Sequence, residues 1–144
     1  MQIRMYEELP DQAISIRKNV FMDEQGFENE FDDIDKYATH IVILERDMPV
    51  ATCRFFYSDS RKCFIIGRIA VCKEYRGKNY GAVIIRSAER EIYNKGGLTV
   101  GLSAQCRVSD FYKKQGYQVQ GDLYLEEECP HIWMYKELNG YKFE

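Results

Sequence analysis

The residues most suited to binding a charged ligand form a short basic turn, Arg76-Gly77-Lys78-Asn79-Tyr80-Gly81. A run typical of a strand, residues 65–72, enters it, and a run typical of a helix, residues 82–94, leaves it. The first N–H groups of a helix have no intrahelical acceptor and carry partial positive charge, so a glycine-containing turn there can bind phosphate oxygens. Arg76 and Lys78 add charge. The alternative is an ordinary basic, solvated connection between a strand and a helix.

A second concentration of reactive side chains is the acidic segment of residues 23–35. Its carboxylates are interleaved with two aromatic rings: Asp23, Glu24, Glu28, Glu30, Asp32, Asp33 and Asp35, with Phe27 and Phe31. The spacing lacks the glycine and the terminal glutamate of a calcium loop, so no metal site is expected. Taken alone, such a run is interpreted as a solvated face.

Alternating strands and helices must position these two regions. Residues 2–7 indicate a strand, and a helix ending near Gln25-Gly26 is indicated by the spacing of Leu9, Ala13, Ile16 and Val20. Strands over 38–45, 50–57 and 63–72 follow, then the turn with its helix, whose buried stripe is Ile85, Ala88 and Ile92. A strand over 98–104, a helix over 108–115 and two final strands complete the chain. The first of these strands has Tyr117, Val119, Leu123 and Leu125 on one side, and the second contains Ile132 and Met134.

The resulting order, β-α-(α)-β-β-β-α-β-α-β-β, contains a helical crossover after the strand that carries the turn. Such a crossover implies at least one parallel pair inside a mostly antiparallel sheet. We therefore expect an α+β (α/β three-layer) fold with a mixed sheet of about seven strands flanked by helices. A length of 144 residues with 45% hydrophobic content suits a single domain over residues 1–144 with a substantial core.

Charge and cysteine usage exclude several classes of protein. The net charge of -3 argues against non-specific nucleic-acid binding. Five cysteines without a CxxC pair suggest neither a disulfide framework nor a zinc site, and reduced thiols point to the cytoplasm. The first residues contain no apolar h-region, and no apolar run approaches the roughly 20 residues that a membrane span needs.

The succession of strand, turn, helix, strand and Phe111-Tyr112-Lys113-Lys114-Gln115-Gly116-Tyr117 closely resembles the GNAT superfamily of acyl-CoA N-acyltransferases over nearly the whole chain. The turn looks like that family's pyrophosphate loop, and Phe111-Tyr112 looks like its motif beside the thioester. A narrower likeness to the ElaA-like branch lies in residues 17–25, in the acidic segment and in Pro130-His131-Ile132-Trp133-Met134. Asn79 stands where the family loop has a glycine, but asparagine tolerates the left-handed backbone region.

The resemblance implies an acetyl-CoA-dependent N-acetyltransferase without a metal. In that mechanism a primary amine of a small molecule or peptide attacks the thioester directly, and the protein positions the two substrates. The implied cofactor-binding residues are Ile69, Ala70 and Val71 through their backbone, Arg76, Gly77, Lys78, Asn79, Tyr80 and Gly81 in the loop, and Gln105, Phe111 and Tyr112. An N–H near Val71 would polarise the thioester carbonyl.

Two proton transfers accompany this chemistry. A free thiol has a pKa of roughly 8.5 and a tyrosine roughly 10, so Tyr112 can protonate the departing thiolate. The alternative for Tyr112 is a packing role. Glu24 is the leading candidate to accept the proton of the ammonium group, with His131, His40 or bulk water as alternatives.

The acidic segment gains a further interpretation beside such a site, because carboxylates attract a cationic amine. The candidate substrate-binding residues are Glu24, Glu28, Asp32, Arg54 and His131, with Asp33 and Asp35 also able to steer. Arg54 could meet a substrate carboxylate or form an internal ion pair.

Two matters stay open at this level. A non-catalytic acyl-CoA-binding sensor or partner subunit on the same fold is the alternative function, and an interaction domain without any nucleotide ranks below it.

The protein is expected to be a monomer or a homodimer. The aromatic residues Tyr124, Trp133, Tyr135, Tyr141 and Phe143 suit a dimer face, a core or the substrate cleft equally well.

Overall fold

The computed structural model describes residues 1–139. The strands are β1 (Gln2–Tyr6), β2 (Thr39–Glu45), β3 (Met48–Ser58), β4 (Cys63–Val71), β5 (Thr99–Gln105), β6 (Gln118–Val119), β7 (Tyr124–Glu126) and β8 (Cys129–Glu137). The α-helices are α1 (Asp11–Arg17), α2 (Tyr80–Asn94) and α3 (Ser109–Lys114). A π-helix, Lys18–Glu24, continues α1, and 3-10 turns lie at Asp33–Lys36, Lys73–Tyr75 and Cys106–Val108. The chain divides into a first unit, residues 1–56 and 66–88, and a second unit, residues 57–65 and the chain from residue 89.

The first unit contains three antiparallel strands, of which β2 and β3 form a hairpin. β1 pairs with β2, and β2 pairs with β3 across a turn in which Arg46 and Asp47 have φ of 48° and 68°. Two consecutive left-handed residues are what a two-residue hairpin turn requires. The predicted hairpin is confirmed, although β3 begins earlier than expected and includes Pro49. The register shifts beside it, between Ile43 and Leu44, because proline has no N–H to give to the ladder.

The predicted stripe of the first helix is the centre of the first unit's core. Ala13, Ile16 and Val20 are buried, and Leu9 packs against the same cluster. The other buried members come from the π-helix, from the strands and from the residue directly after β4: Phe21, Val42, Leu44, Ala70 and Cys72. The spacing of the apolar residues therefore predicted both the helix and the face that it buries.

The second unit contains the parallel pair that the crossover implies. The beginning of β4 pairs parallel with β5 through Phe64↔Val100 and Ile65↔Gly101. β5 in turn runs antiparallel to β8 from Thr99↔Glu137 to Gln105↔His131. The indole of Trp133 lies directly against Gly101, where an added Cβ would collide with its ring, so glycine is required there.

The last part of the chain differs in detail from the expectation of two strands. β6 and β7 are short separate strands that both pair with β8, so the sheet has eight strands. A turn at Gly121, with φ of 86°, separates them. Leu123 and Leu125, predicted on one side with the buried Tyr117, are 62% and 64% exposed, because the chain turns between them and Tyr117. The predicted class, a mixed and mostly antiparallel sheet flanked by helices, is confirmed.

Several aromatic residues weighed for a dimer face lie in the second unit. Trp133 is buried, with the guanidinium of Arg61 3.8 Å from its ring centroid, and Tyr124 and Tyr135 are half-buried. Tyr141 and Phe143 lie outside the described residues. A homodimer stays a prediction, as does a single domain over residues 1–144. Within residues 1–139, no helix is long and apolar enough to cross a membrane.

Candidate active site

The basic turn connects the 3-10 turn after β4 to the start of α2. Gly77 and Asn79 adopt φ of 77° and 71°, so two left-handed residues flank the exposed Lys78. The carbonyl of Asn79 accepts the first helical bond of α2, from the N–H of Val83 at 3.2 Å. Asn79 thus adopts the backbone conformation for which glycine is usual at this place. Gly81 differs, since it lies in the first turn of α2.

This donor set fits an anion. A turn with left-handed residues can direct successive N–H groups toward one side, and the start of a 15-residue helix adds further N–H groups. A Cβ added at Gly77 would meet nothing within 4 Å, so the backbone conformation, not space, requires glycine there. Lys78 lies with its Nζ 5.5 Å from the ring centroid of Tyr75.

Arg76, expected at the cofactor, is paired with Glu24, expected at the amine. The Nη1 and Nη2 atoms of Arg76 donate to the two carboxylate oxygens of Glu24 at 2.6 and 2.8 Å, and its Nε donates to the carbonyl of Val71 at 2.9 Å. The hydrogen bonds to Glu24 and its charge raise the pKa of Arg76. Glu24 is positioned by the π-helix, in which the N–H of Gln25 reaches back five residues to the carbonyl of Val20.

Three carboxylates of the acidic segment, those of Glu30, Asp32 and Asp35, are paired with arginine side chains. Arg17 is buried and donates to Glu30 at 2.7 Å and to Asp35 at 2.8 Å. Arg54 is 3% exposed and donates to Asp32 at 2.6 Å and to Asp35 at 2.9 Å. Of the two alternatives for Arg54, the structure thus shows the internal ion pair. Glu28, by contrast, lies on the surface.

Burial and the arginine partners act in opposite directions on the pKa of these carboxyl groups, and the net effect differs between them. Burial would raise the pKa of Asp35, but the hydrogen bonds and charges of Arg17 and Arg54 prevail and lower it to about 2. At Glu30 burial prevails over its arginine partners and raises the pKa. Sequence reasoning missed Arg17 and Glu30. The one available signal was that Arg17 lies on the helix face of Ile16 and Val20, where a charge needs a partner.

Arg68 marks a backbone irregularity directly before the residues expected to bind the acyl arm. Its φ is 49°, which is strained for a residue with a Cβ. Its side chain holds this conformation by donating to the backbone carbonyl of Glu30 at 3.0 Å, with the Glu30 carboxylate also 3.0 Å away. In Ile69–Val71, which follows, only the side chain of Ala70 is buried in the core. The Nε of Arg54 nearby is buried without a hydrogen-bond partner, 3.9 Å from the Cβ position of Gly67.

Tyr112 lies on α3 in the second unit and is 8% exposed. Its ring packs edge-on against Phe111 and Tyr117, at centroid distances of 5.2 and 6.2 Å. Gln105, at the end of β5, accepts a hydrogen bond from Arg107 at 3.0 Å. Gln105 and Tyr112 thus lie on either side of the turn that joins β5 to α3.

A buried charged network holds the end of α3. Lys136 donates to both carboxylate oxygens of Glu89 at 3.1 Å and to the carbonyl of Gln115 at 2.9 Å. Tyr117 donates to Glu89 at 2.8 Å. Because the N–H groups of Gln115 and Tyr117 both bind the carbonyl of Tyr112, this network anchors the backbone that carries the candidate acid.

The two histidines lie in different environments. His40 is buried and hydrogen-bonds the carbonyl of Asp35 through Nε2 at 3.0 Å, and burial lowers its pKa. His131 lies on β8 among polar side chains: its Nδ1 is 2.8 Å from the carbonyl of Cys129 and its Nε2 is 3.4 Å from Glu126. Within residues 1–139, no group of three or more His, Cys, Asp or Glu side chains is placed to hold a metal ion.

A family model and curated relatives identify the class. The acetyltransferase (GNAT) domain model matches residues 6–138, and the chain therefore belongs to this family of acyl-CoA N-acyltransferases. An uncharacterized N-acetyltransferase of Bacillus subtilis, YjcF, is 32% identical over 134 residues, which cover 91% of this chain and 94% of the relative. The protein ElaA of Escherichia coli is 28% identical over 130 residues, which cover 87% and 85%.

Solved structures agree with this family. The crystal structure of Escherichia coli ElaA is similar with a TM-score of 0.83 and 26% identity, covering 94% of this chain and 99% of that one. An aminoglycoside 6'-N-acetyltransferase complexed with coenzyme A has a TM-score of 0.77 at 16% identity, covering 96% and 97%, and shows the shared fold. The resemblance inferred from the sequence is confirmed.

Proposed function

We propose that the protein transfers an acetyl group from acetyl-CoA to a primary amine of a small molecule or peptide, by direct attack on the thioester. The observation that carries the proposal is the backbone of the basic turn. Gly77 and Asn79 are both left-handed directly before α2, which supports an anion cradle of N–H groups rather than an ordinary connection. The cofactor's pyrophosphate is an anion of this kind.

The other cofactor-binding residues follow from the family pattern. The loop from Arg76 to Gly81 holds the pyrophosphate, while the backbone of Ile69–Val71, together with Gln105 and Phe111, orients the arm that carries the thioester. Acetyl-CoA supplies the acetyl group in activated form. Tyr112 keeps a proton on its phenol oxygen and gives it to the sulfur as the carbon–sulfur bond breaks.

An amine screen with a matched pair of tyrosine variants tests this function. The purified protein is incubated with acetyl-CoA and alkylamines, amino acids, polyamines or peptides, and free thiol is measured. Tyr112→Phe is expected to lower kcat by about 100-fold or more, the range for general acid catalysis, and to leave the Kd of CoA unchanged. Tyr135→Phe also removes a phenol in the second unit, one within 3.4 Å of Gln118, and should retain full activity.

Three results would change the conclusion. Unchanged turnover in Tyr112→Phe would remove that residue from its role. Tight CoA binding without thiol release for any amine would favour the non-catalytic acyl-CoA-binding alternative. A ligand at 100 times its Kd stabilises a protein by about 2.7 kcal/mol, so the absence of a thermal shift with CoA would argue against cofactor binding altogether.

The mechanism also needs an acceptor for the amine's proton. Glu24 remains a prediction for this role, but its two carboxylate oxygens both receive hydrogen bonds from Arg76. A carboxylate in a bidentate pair is a weaker proton acceptor, because the guanidinium stabilises its charged form. Glu24 could act as the base only after Arg76 has turned away from it.

A further inference from the structure

The second unit contains a polar cluster that the proposed function leaves unused, formed by the side chains of Ser103, Tyr124, Glu126 and His131. These side chains come from β5, β7 and β8. His131 of β8 is paired with Tyr124 on β7 and with Gln105 on β5. The cluster lies at the carboxyl end of β5. From there the chain passes through the turn Cys106–Val108 directly into α3, which carries Tyr112.

The backbone fixes the tautomer of His131. Its Nδ1 lies 2.8 Å from the carbonyl oxygen of Cys129. A carbonyl oxygen can only accept, so Nδ1 carries a hydrogen, and in the neutral ring Nε2 has the free lone pair. That lone pair faces Oε2 of Glu126 at 3.4 Å. A proton that arrives on Nε2 therefore lies between that nitrogen and a carboxylate oxygen.

The donor and acceptor of each remaining hydrogen bond in the cluster can be assigned. Ser103 donates its hydroxyl hydrogen to Oε1 of Glu126 at 3.0 Å, since a carboxylate only accepts. The short hydrogen bond between Ser103 and Tyr124 must then be donated by the phenol of Tyr124. Burial raises the pKa of Tyr124, which keeps that phenol protonated. Ser103 and Tyr124 thus orient the carboxylate of Glu126.

Glu126 and His131, the two central groups, differ in solvent exposure. The side chain of Glu126 is 47% exposed, so it can meet a solvated amine, whereas His131 is only 5% exposed and stacks on the ring of Tyr124. Two further groups interact electrostatically with Tyr124, namely Arg61 and Cys106. The arrangement has an open carboxylate at the surface and a shielded nitrogen behind it.

We propose that Glu126 and His131 together accept the proton of the attacking ammonium group. The nitrogen–hydrogen bond of the ammonium breaks, the electron pair stays on the amine nitrogen for the attack, and the proton passes by way of the Glu126 carboxylate to Nε2 of His131. The proton then leaves to solvent. Ser103 and Tyr124 are positioning residues. This inference rests on the proposed function, and it places the proton acceptor in the same unit as the candidate acid Tyr112.

The decisive experiment compares two amines that differ in protonation. Glu126→Gln and His131→Asn, which keeps a donor toward the carbonyl of Cys129, are assayed with the alkylamine that the wild-type protein acetylates fastest and with hydroxylamine, which is mostly uncharged at neutral pH. Loss of a general base should lower kcat/KM about 100-fold for the alkylammonium and leave the rate with hydroxylamine unchanged. Glu128→Gln, in the adjacent turn, should change neither rate.

A spectroscopic readout tests the cluster without turnover. The chain has two histidines, so the imidazole signals of a nitrogen-15 labelled sample can be assigned by their loss in His131→Asn. The neutral ring of His131 should be protonated at Nδ1, and Glu126→Gln should move its Nε2 signal. A neutral ring that carries its hydrogen on Nε2 instead of Nδ1, or equal losses of rate with both amines, would overturn the inference. If no amine releases thiol, the proposed function fails, and the spectrum still tests the cluster.

Discussion

Glu24 and Arg76 lie 52 residues apart in sequence and form a two-pronged ion pair, with nitrogen–oxygen distances of 2.6 and 2.8 Å. The same guanidinium binds the carbonyl of Val71, at the end of β4. Arg76 thus connects the end of the π-helix to the end of the strand that is expected to bind the acyl arm. A residue proposed for the pyrophosphate therefore already has an anionic partner in the same chain, at the surface.

We expect this ion pair to compete with CoA. Glu24→Gln removes the competing charge, so the Kd of CoA should fall by up to about fivefold, which corresponds to the 1 kcal/mol of a half-exposed pair. Arg76→Gln should raise the Kd. Calorimetric titration with CoA measures both, with Asp23→Asn as the control for the loss of one surface carboxylate. Weaker binding in Glu24→Gln would mean that the pair holds the loop ready rather than competing.

The left-handed backbone of Gly77 allows the effect of a substitution on stability to be distinguished from its effect on CoA binding. Gly77→Ala meets no neighbouring atom but forces a side chain into φ near 77°, so the free energy of unfolding should fall by about 1 kcal/mol. The Kd of CoA should rise as the loop changes shape. Gly121→Ala is the matched control, since Gly121 has φ of 86° and equally open space. It should cost similar stability and leave the Kd unchanged; an equal loss of CoA binding in both variants would contradict the role of the loop.

We expect the buried charges of Glu89 and Lys136, beside the end of α3, to be energetically coupled. Lys136→Met leaves Glu89 buried without its cation, and we expect the free energy of unfolding to fall by about 3 kcal/mol or more. Glu89→Leu combined with Lys136→Met removes both charges and should recover most of that loss. Denaturant titrations of the two single variants and the double variant measure the coupling. Additive effects would show that the pair is not coupled.

Asp35 should make the protein sensitive to acid. Its pKa is about 2 in the folded state and 3.8 as the ordinary value, so the unfolded chain takes up the proton first as the pH falls. Stability from this group is complete above about pH 4 and is lost as the pH falls toward 2, by about 2 kcal/mol in total. Denaturant unfolding at a series of pH values should show a smaller slope in Asp35→Asn. The exposed Asp33→Asn should keep the wild-type slope.

The sequence predicted the fold because its signals are local. The stripe of Ala13, Ile16 and Val20, the hairpin and the crossover each depend on residues close together in the chain, and the structure confirms them. The basic turn was recognisable for the same reason, since Gly77 and Asn79 determine its backbone within a few residues. The sequence around Tyr112 on α3 predicts that residue as the acid, and its chemical role stays a prediction.

The pairing of charges was decided only by the tertiary structure. Nothing local tells whether Glu24 meets Arg76, whether Asp35 meets Arg17 and Arg54, or whether His131 meets Glu126. The first pair depends on the π-helix that carries Glu24, and the last on the register of β7 against β8. Charged side chains recognise one another by distance and not by sequence spacing, so a chain with 23 carboxylates and 20 cationic side chains allows many pairings. Folding selects one of them, and thereby determines which carboxylates remain available for chemistry.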